Sequence, residues 1–173
     1  MIALNIGSGQ RPFKPPWWNY DVQEGKWKLF TEEFGCIWQD INYLEHYCPG
    51  KLDFVCLHHV LEHFGCNEGD SLIQQCHDLL KPSGYLLIFV PNIQALARRY
   101  AAHMLDDYTF NVNMYGAYMG DEADRHKWGY SFQSLAEYLS KWKWTKVDLF
   151  DWRDIKGANI AKDWWILGME AVK

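Results

Sequence analysis

No run in the 173 residues approaches the roughly 18 to 20 uninterrupted apolar positions of a membrane span. The opening Met1-Ile2-Ala3-Leu4-Asn5 lacks the basic segment and apolar run of a secretory signal. The expectation is therefore a cytoplasmic protein with no membrane partner. Cysteine is scarce: five residues, at 36, 48, 56, 66 and 76, form no CxxC pair, so neither a disulfide framework nor a zinc ribbon is suggested. Positive charge is not in excess either. A net charge of -5 and a pI near 5.8 argue against a nucleic-acid coat, although Arg98-Arg99 and Lys141, Lys143 and Lys146 form small basic clusters. Internal repeats and low-complexity segments are missing as well.

What is present is a foldable core. The sequence is 49% hydrophobic and 23% charged, with mean hydropathy -0.34, and holds ten Trp, ten Tyr and nine Phe. Such a chain can bury an apolar interior, and its length suits a single domain spanning residues 1–173. Short apolar runs alternate with longer amphipathic ones, the pattern of an α/β fold with helices covering a mostly parallel sheet. Strands are expected at 2–6, 18–22, 36–40, 53–57 and 85–90, the last so apolar that it must be central. The connection 10–17 holds Pro12, Pro15 and Pro16, which prevent a helix, yet an extended loop of that length can return along a five-residue strand. A helix fits 41–47. Another, capped by Asn67 or Asp70, carries Leu72, Ile73, Cys76, Leu79 and Leu80 and stops at Pro82 and Gly84. Residues 106–130 show no period and mix aromatics with acids, so an irregular substrate-side insertion is expected there. Ser131 can cap a last helix bearing Leu135, Tyr138, Leu139 and Trp142, before an antiparallel pair of strands at 146–152 and 164–172. The expected architecture is a doubly wound, mostly parallel seven-stranded sheet with an antiparallel last strand.

Two places carry chemistry. Gly7-Ser8-Gly9 follows the first strand, where glycine lets the backbone approach a ligand, and Asp21 ends the second strand, where a carboxylate can accept both hydroxyls of a ribose. The dinucleotide pattern GxGxxG is not completed, because Pro12 takes the place of the third glycine, and a bound pyrophosphate is disfavoured.

Asp53-Phe54-Val55-Cys56-Leu57-His58-His59-Val60-Leu61-Glu62-His63, together with Leu80-Lys81-Pro82-Ser83-Gly84 and the strand to Asn92, resembles the fourth and fifth strands of class I S-adenosylmethionine-dependent methyltransferases. His126-Lys127-Trp128-Gly129-Tyr130-Ser131 is similar to the segment before the last helix in small members of that group. The resemblance implies a Rossmann-like fold, S-adenosyl-L-methionine as cofactor, S-adenosyl-L-homocysteine as product, and a small-molecule methyl acceptor. It implies that Gly7, Ser8 and Gly9 pass under the methionine part, that Asp21 holds the ribose, that Asp40 and Ile41 meet the adenine, and that His58 touches the cofactor near its sulfonium. Asn5 stands where the family often has an acid. If the acceptor is a hydroxyl or protonated amine, His59 and His126 are the candidate proton acceptors by position.

The same stretch supports other readings. His59-Val60-Leu61-Glu62-His63 matches the HxxEH of inverted zinc peptidases, in which two histidines one helical turn apart share a metal. This explains neither the glycine turn nor the fifth strand and is not favoured. Some methyltransferases of this fold carry ExxEH here and bind a divalent cation. In this chain His59 replaces their first Glu and His126 could add a ligand. A metal ranks below the reading in which Glu62 and His63 cap and brace a helix. A domain that binds the cofactor or a partner without catalysing anything is the remaining alternative. Trp128 is expected near the pocket, Asn92 as a turn residue, and His46 and His77 facing solvent.

Overall fold

The computed structural model describes residues 1–9, 11–21, 37–38, 49–117, 121–151, 155, 157 and 163–173. Among these residues the strands are β1 (Ala3–Ile6), β2 (Trp17–Asp21), β3 (Ile37–Trp38), β4 (Leu52–His58), β5 (Leu80–Pro91), β6 (Lys146–Leu149) and β7 (Ile166–Val172). They form one sheet in the order β3-β2-β1-β4-β5-β7-β6, six strands of four residues or more and a two-residue edge pairing at β3. The β3-β2-β1-β4-β5 ladders are parallel, and β7 runs antiparallel to both β5 and β6. Strand order reverses between β1 and β4, which opens the switch-point crevice where doubly wound sheets bind ligands.

The helices are α1 (Glu68–Leu79), α2 (Ile93–Ala101), α3 (Asp107–Tyr115) and α4 (Phe132–Leu139). Side-chain alternation along the central strands divides the core in two. Leu4, Ile6, Val55, Leu57, Leu86 and Ile88 pack with Leu72, Ile73, Cys76 and Leu79 of α1 and with Leu135 and Leu139 of α4. The intervening Ala3, Cys56, Leu87 and Phe89 face the other way and meet Phe13 and Trp17.

Those last two residues explain how the sheet dispenses with a helix in its first connection. Residues 11–16 are not helical. Asn19 on β2 instead clamps the loop, its Oδ1 accepting from the Phe13 N–H at 2.8 Å and its Nδ2 donating to the Phe13 carbonyl at 3.0 Å. Asn5 on β1 supports the clamp by donating from Nδ2 to the Asn19 Oδ1 at 3.0 Å.

Several expectations are corrected. α1 ends at Leu79, and the chain is already extended at Leu80, so Pro82 and Gly84 lie within β5 rather than ending the helix. Pro82 disfavours helical backbone at Lys81, and the ladder to β4 absorbs the extra residues as a register shift between Leu52 and Phe54. Asn67 makes no capping bond through its side chain, and Asp70 lies inside α1; the Glu68 carboxylate accepts from the Gly65 N–H at 3.0 Å instead. The segment 106–130 is partly helical, since Asp107–Tyr115 forms α3 behind an Asp106 cap that accepts from Thr109 at 2.8 Å. None of the residues of α3 is fully buried, so it writes no apolar period into the sequence. β6 stops at Leu149 and β7 starts at Ile166, both shorter than expected. Ser131 does cap α4, in a reciprocal pair with Ser134. The candidate helix 41–47, and Cys36, Asp40, Ile41, His46 and Trp152, lie outside the described residues. No helix among those described is long and apolar enough to cross a membrane.

Candidate functional site

Strands β1, β2 and β4 deliver the site. β1 ends at Ile6 and the chain turns through Gly7 and Gly9, whose φ values are +67° and +46°. An L side chain is strained in that region. At Gly7 it would also collide, since a Cβ would lie 2.4 Å from Val60 Cγ2. The turn is tied to the end of β2: the Gly7 and Ser8 N–H groups both donate to the Tyr20 carbonyl, at 2.8 and 3.1 Å, and the Gly9 N–H donates to Asp21 Oδ2 at 2.8 Å. The glycine turn and Asp21, twelve residues apart in sequence, thus share one wall of a cavity of about 480 Å³. That volume lies within the roughly 300 to 1,000 Å³ of small-molecule sites.

The opposite wall comes from the segment after β4. His59 has φ +55°, which turns the chain out of the sheet, and its N–H donates to the Phe89 carbonyl at 2.9 Å. A short 3₁₀ turn, Leu61–His63, follows. His59, Val60, His63 and Phe64 line the cavity, joined by Glu68, Lys127 and the 122–124 turn. His58 does not line it. Its side chain is buried, its Nε2 has no hydrogen-bond partner, and burial, with the neighbouring charges of His59 and Arg11, pushes its pKa well below the usual imidazole value.

Glu62 is the hub of this wall. It is 1% exposed, and its Oε1 lies 2.8 Å from His59 Nδ1. Burial opposes its charge, yet the hydrogen bond from His59 and the charges of His59, His63 and His126 hold its carboxyl below the ordinary value. Its main-chain carbonyl accepts from the N–H groups of Lys127 and Trp128, at 2.8 and 3.1 Å. Those two bonds dock the His126 segment onto the 3₁₀ turn. His126 lies outside the cavity lining, with its ring 4.9 Å from that of His63. Burial lowers its pKa, against the pull of the Glu62 charge.

Of the residues marked by sequence, Gly7, Gly9, Asp21 and His59 come together in the cavity, Ser8 is buried in the turn beneath it, and His58 and His126 stand behind its walls. The HxxEH residues do not form the helical pair of a zinc peptidase: His59 precedes the 3₁₀ turn and its Nδ1 is bonded to Glu62. Trp128 has an exposed side chain and enters through its backbone. Asn92 caps α2 by accepting from Ala95 at 3.1 Å, and His77 packs against Trp144 at 4.9 Å instead of facing solvent. His63, Glu68 and Lys127 line the cavity without being marked for it by sequence. For His63 the signal was available in its spacing from Glu62, whereas Glu68 and Lys127 reach the cavity only through folding.

Comparison with known proteins follows the same lines. Residues 22–88 match the model of the family described as methyltransferase domain, a span shorter than half of the chain. Curated protein sequences give no match. Among solved structures, a SAM-dependent methyltransferase from Archaeoglobus fulgidus superposes with a TM-score of 0.64 at 18% identity, covering 99% of this chain and 86% of that one. The Burkholderia thailandensis 1,6-didemethyltoxoflavin-N1-methyltransferase, solved with 1,6-didemethyltoxoflavin and S-adenosylhomocysteine, gives 0.59 at 17%, covering 99% and 70%. An O-methyltransferase family protein from the same organism gives 0.60 at 12%, covering 99% and 50%. The chain therefore has the mixed α/β, mostly parallel Rossmann-like fold of the S-adenosylmethionine-dependent methyltransferases, and across residues 22–88 it carries the sequence pattern of a methyltransferase domain.

Proposed function

We propose that this protein transfers a methyl group from S-adenosyl-L-methionine to a small-molecule acceptor at the cavity between β1, β2 and β4. The observation that carries this reading is the joining of the Gly7–Gly9 turn to the Asp21 carboxylate in a single cavity wall, with His59 across from it. The donor set suits an adenosyl ligand. A side-chain-free turn lets a backbone approach closely, an acid at the end of the second strand accepts ribose hydroxyls, and no extended phosphate-binding loop is offered. When bound, the cofactor supplies an electrophilic methyl group on its sulfonium.

The chain's own residues then have three tasks. Gly7 and Gly9 set the floor, Asp21 fixes the sugar, and by the resemblance Asp40 and Ile41 flank the adenine. The wall of Val60, Phe64 and the 122–124 turn excludes water and holds the acceptor in line with the methyl carbon, at roughly 3 to 3.5 Å. His59 is the proton acceptor we assign. Its Nδ1–H donates to the Glu62 carboxylate, which fixes the tautomer and leaves Nε2 with a lone pair. His58, buried behind the wall, takes a packing role in place of the cofactor contact that the resemblance implies.

Native mass spectrometry after incubation with S-adenosylmethionine tests the reading. One adduct per chain at the mass of the cofactor is expected. A protein that stays unliganded with the cofactor in large excess would overturn it.

A further inference from the structure

Behind the His59 wall three side chains converge that the proposed methyl transfer does not use together. One donor atom from each of Glu62, His63 and His126 lies within 4.8 Å of the other two. Both imidazoles are oriented from behind. His63 Nδ1 lies 3.1 Å from the Arg125 carbonyl, and His126 Nδ1 lies 3.1 Å from the Asn113 carbonyl. A carbonyl can only accept, so each Nδ1 carries the proton and each neutral ring keeps its lone pair at Nε2. Glu62 Oε1 is taken by His59, but Oε2 is buried and makes no hydrogen bond. A buried carboxylate oxygen with no partner is costly, and a cation shared with the two imidazoles would satisfy it.

We infer that Glu62, His63 and His126 form a binding site for one divalent first-row transition ion. Two imidazole nitrogens and one carboxylate oxygen suit Zn²⁺ or Co²⁺ better than Mg²⁺, which prefers oxygen donors and keeps its waters. The backbone carbonyls behind His63 and His126, and His59 behind Glu62, are the outer partners that orient ligands in metal sites. The docking of Lys127 and Trp128 N–H onto the Glu62 carbonyl brings the third ligand in before any ion arrives. Bonds of about 2.1 Å space tetrahedral donors by about 3.4 Å, inside the 4.8 Å within which the three donor atoms lie. Three protein ligands leave at least one position for water or another oxygen ligand, beside the cavity that His63 lines.

The site does not depend on the cofactor reading, and its test contains no cofactor. The purified full chain, cleared with a chelator and dialysed, is titrated with Co²⁺ while visible absorption and calorimetry are recorded. One equivalent is expected to bind with a ligand-field band, and Zn²⁺ displaces it while Mg²⁺ in large excess does not. His63→Ala and His126→Ala, each checked for folding by circular dichroism, should each weaken Co²⁺ by more than about 100-fold, beyond what losing an outer partner costs. Saturating Zn²⁺ should also raise the melting midpoint of the native chain and leave that of either variant unmoved. A native chain that takes up no Co²⁺, displacement by Mg²⁺, or an unchanged band in a folded variant would overturn the inference.

Discussion

At the scale of single residues, one ion pair shows how a charge far from the site steadies the strands that build it. Asp53, at the start of β4, pairs with Lys81, and its Oδ2 accepts from the Ile2 N–H at 2.6 Å. The Lys81 hydrogen bond, then the Ile2 amide, hold its carboxyl below the ordinary aspartate value although desolvation works against them. A carboxyl whose folded pKa is depressed stabilises above its unfolded value and loses that contribution as pH falls through the folded one. Asp53→Asn should therefore lower the melting midpoint at pH 7, and the difference from the native chain should shrink as the pH falls through and below the ordinary aspartate value. Melting curves across that range check it, and an equal deficit at both ends would show that only shape matters. Residues of this kind leave no trace in sequence, because Asp53, Lys81 and Ile2 meet only after β1, β4 and β5 align. Gly7 and Asp21 were legible for the opposite reason. A glycine after an apolar strand and an acid ending the next one have a mechanical meaning before any contact is known.

At the scale of elements, the first connection is the most instructive. Three prolines told against a helix, and the loop is there, but its anchor was invisible. Asn5 reads from sequence as a departure at the end of β1. In the fold it supports Asn19, which bonds both the N–H and the carbonyl of the fully buried Phe13. Replacing Asn19 by Ala orphans two buried backbone groups and should cost about 2 to 3 kcal/mol in urea unfolding. The loss should come with faster amide exchange at Phe13. A change under about 0.5 kcal/mol would mean that packing of Phe13 and Trp17 alone holds the loop. α1 and α4 are legible because each buries one stripe against the sheet, whereas α3 buries no residue completely and so reads in sequence as irregular chain. The start of β5 was misplaced because Pro82 and Gly84 look like a helix stop. They in fact sit in a strand whose register to β4 is broken there.

At the scale of the whole molecule, strand order decides where chemistry can happen. Only the reversal between β1 and β4 places the turn after Ile6, the carboxylate ending β2 and the histidines after β4 around one crevice. Alternation of short apolar runs with amphipathic ones was enough to expect that architecture. It could not reveal that the segment around His126 returns to dock on Glu62, whose main-chain carbonyl accepts from the N–H groups of Lys127 and Trp128. The most direct measurement is a calorimetric titration of S-adenosylhomocysteine into the native chain and into Asp21→Ala. One site per native chain is expected, with a dissociation constant about 10- to 150-fold weaker in the variant, the equivalent of about 1.5 to 3 kcal/mol for hydrogen bonds to a charged group. No binding to the native chain, or identical constants for the two proteins, would contradict the assignment of this crevice to an adenosyl ligand.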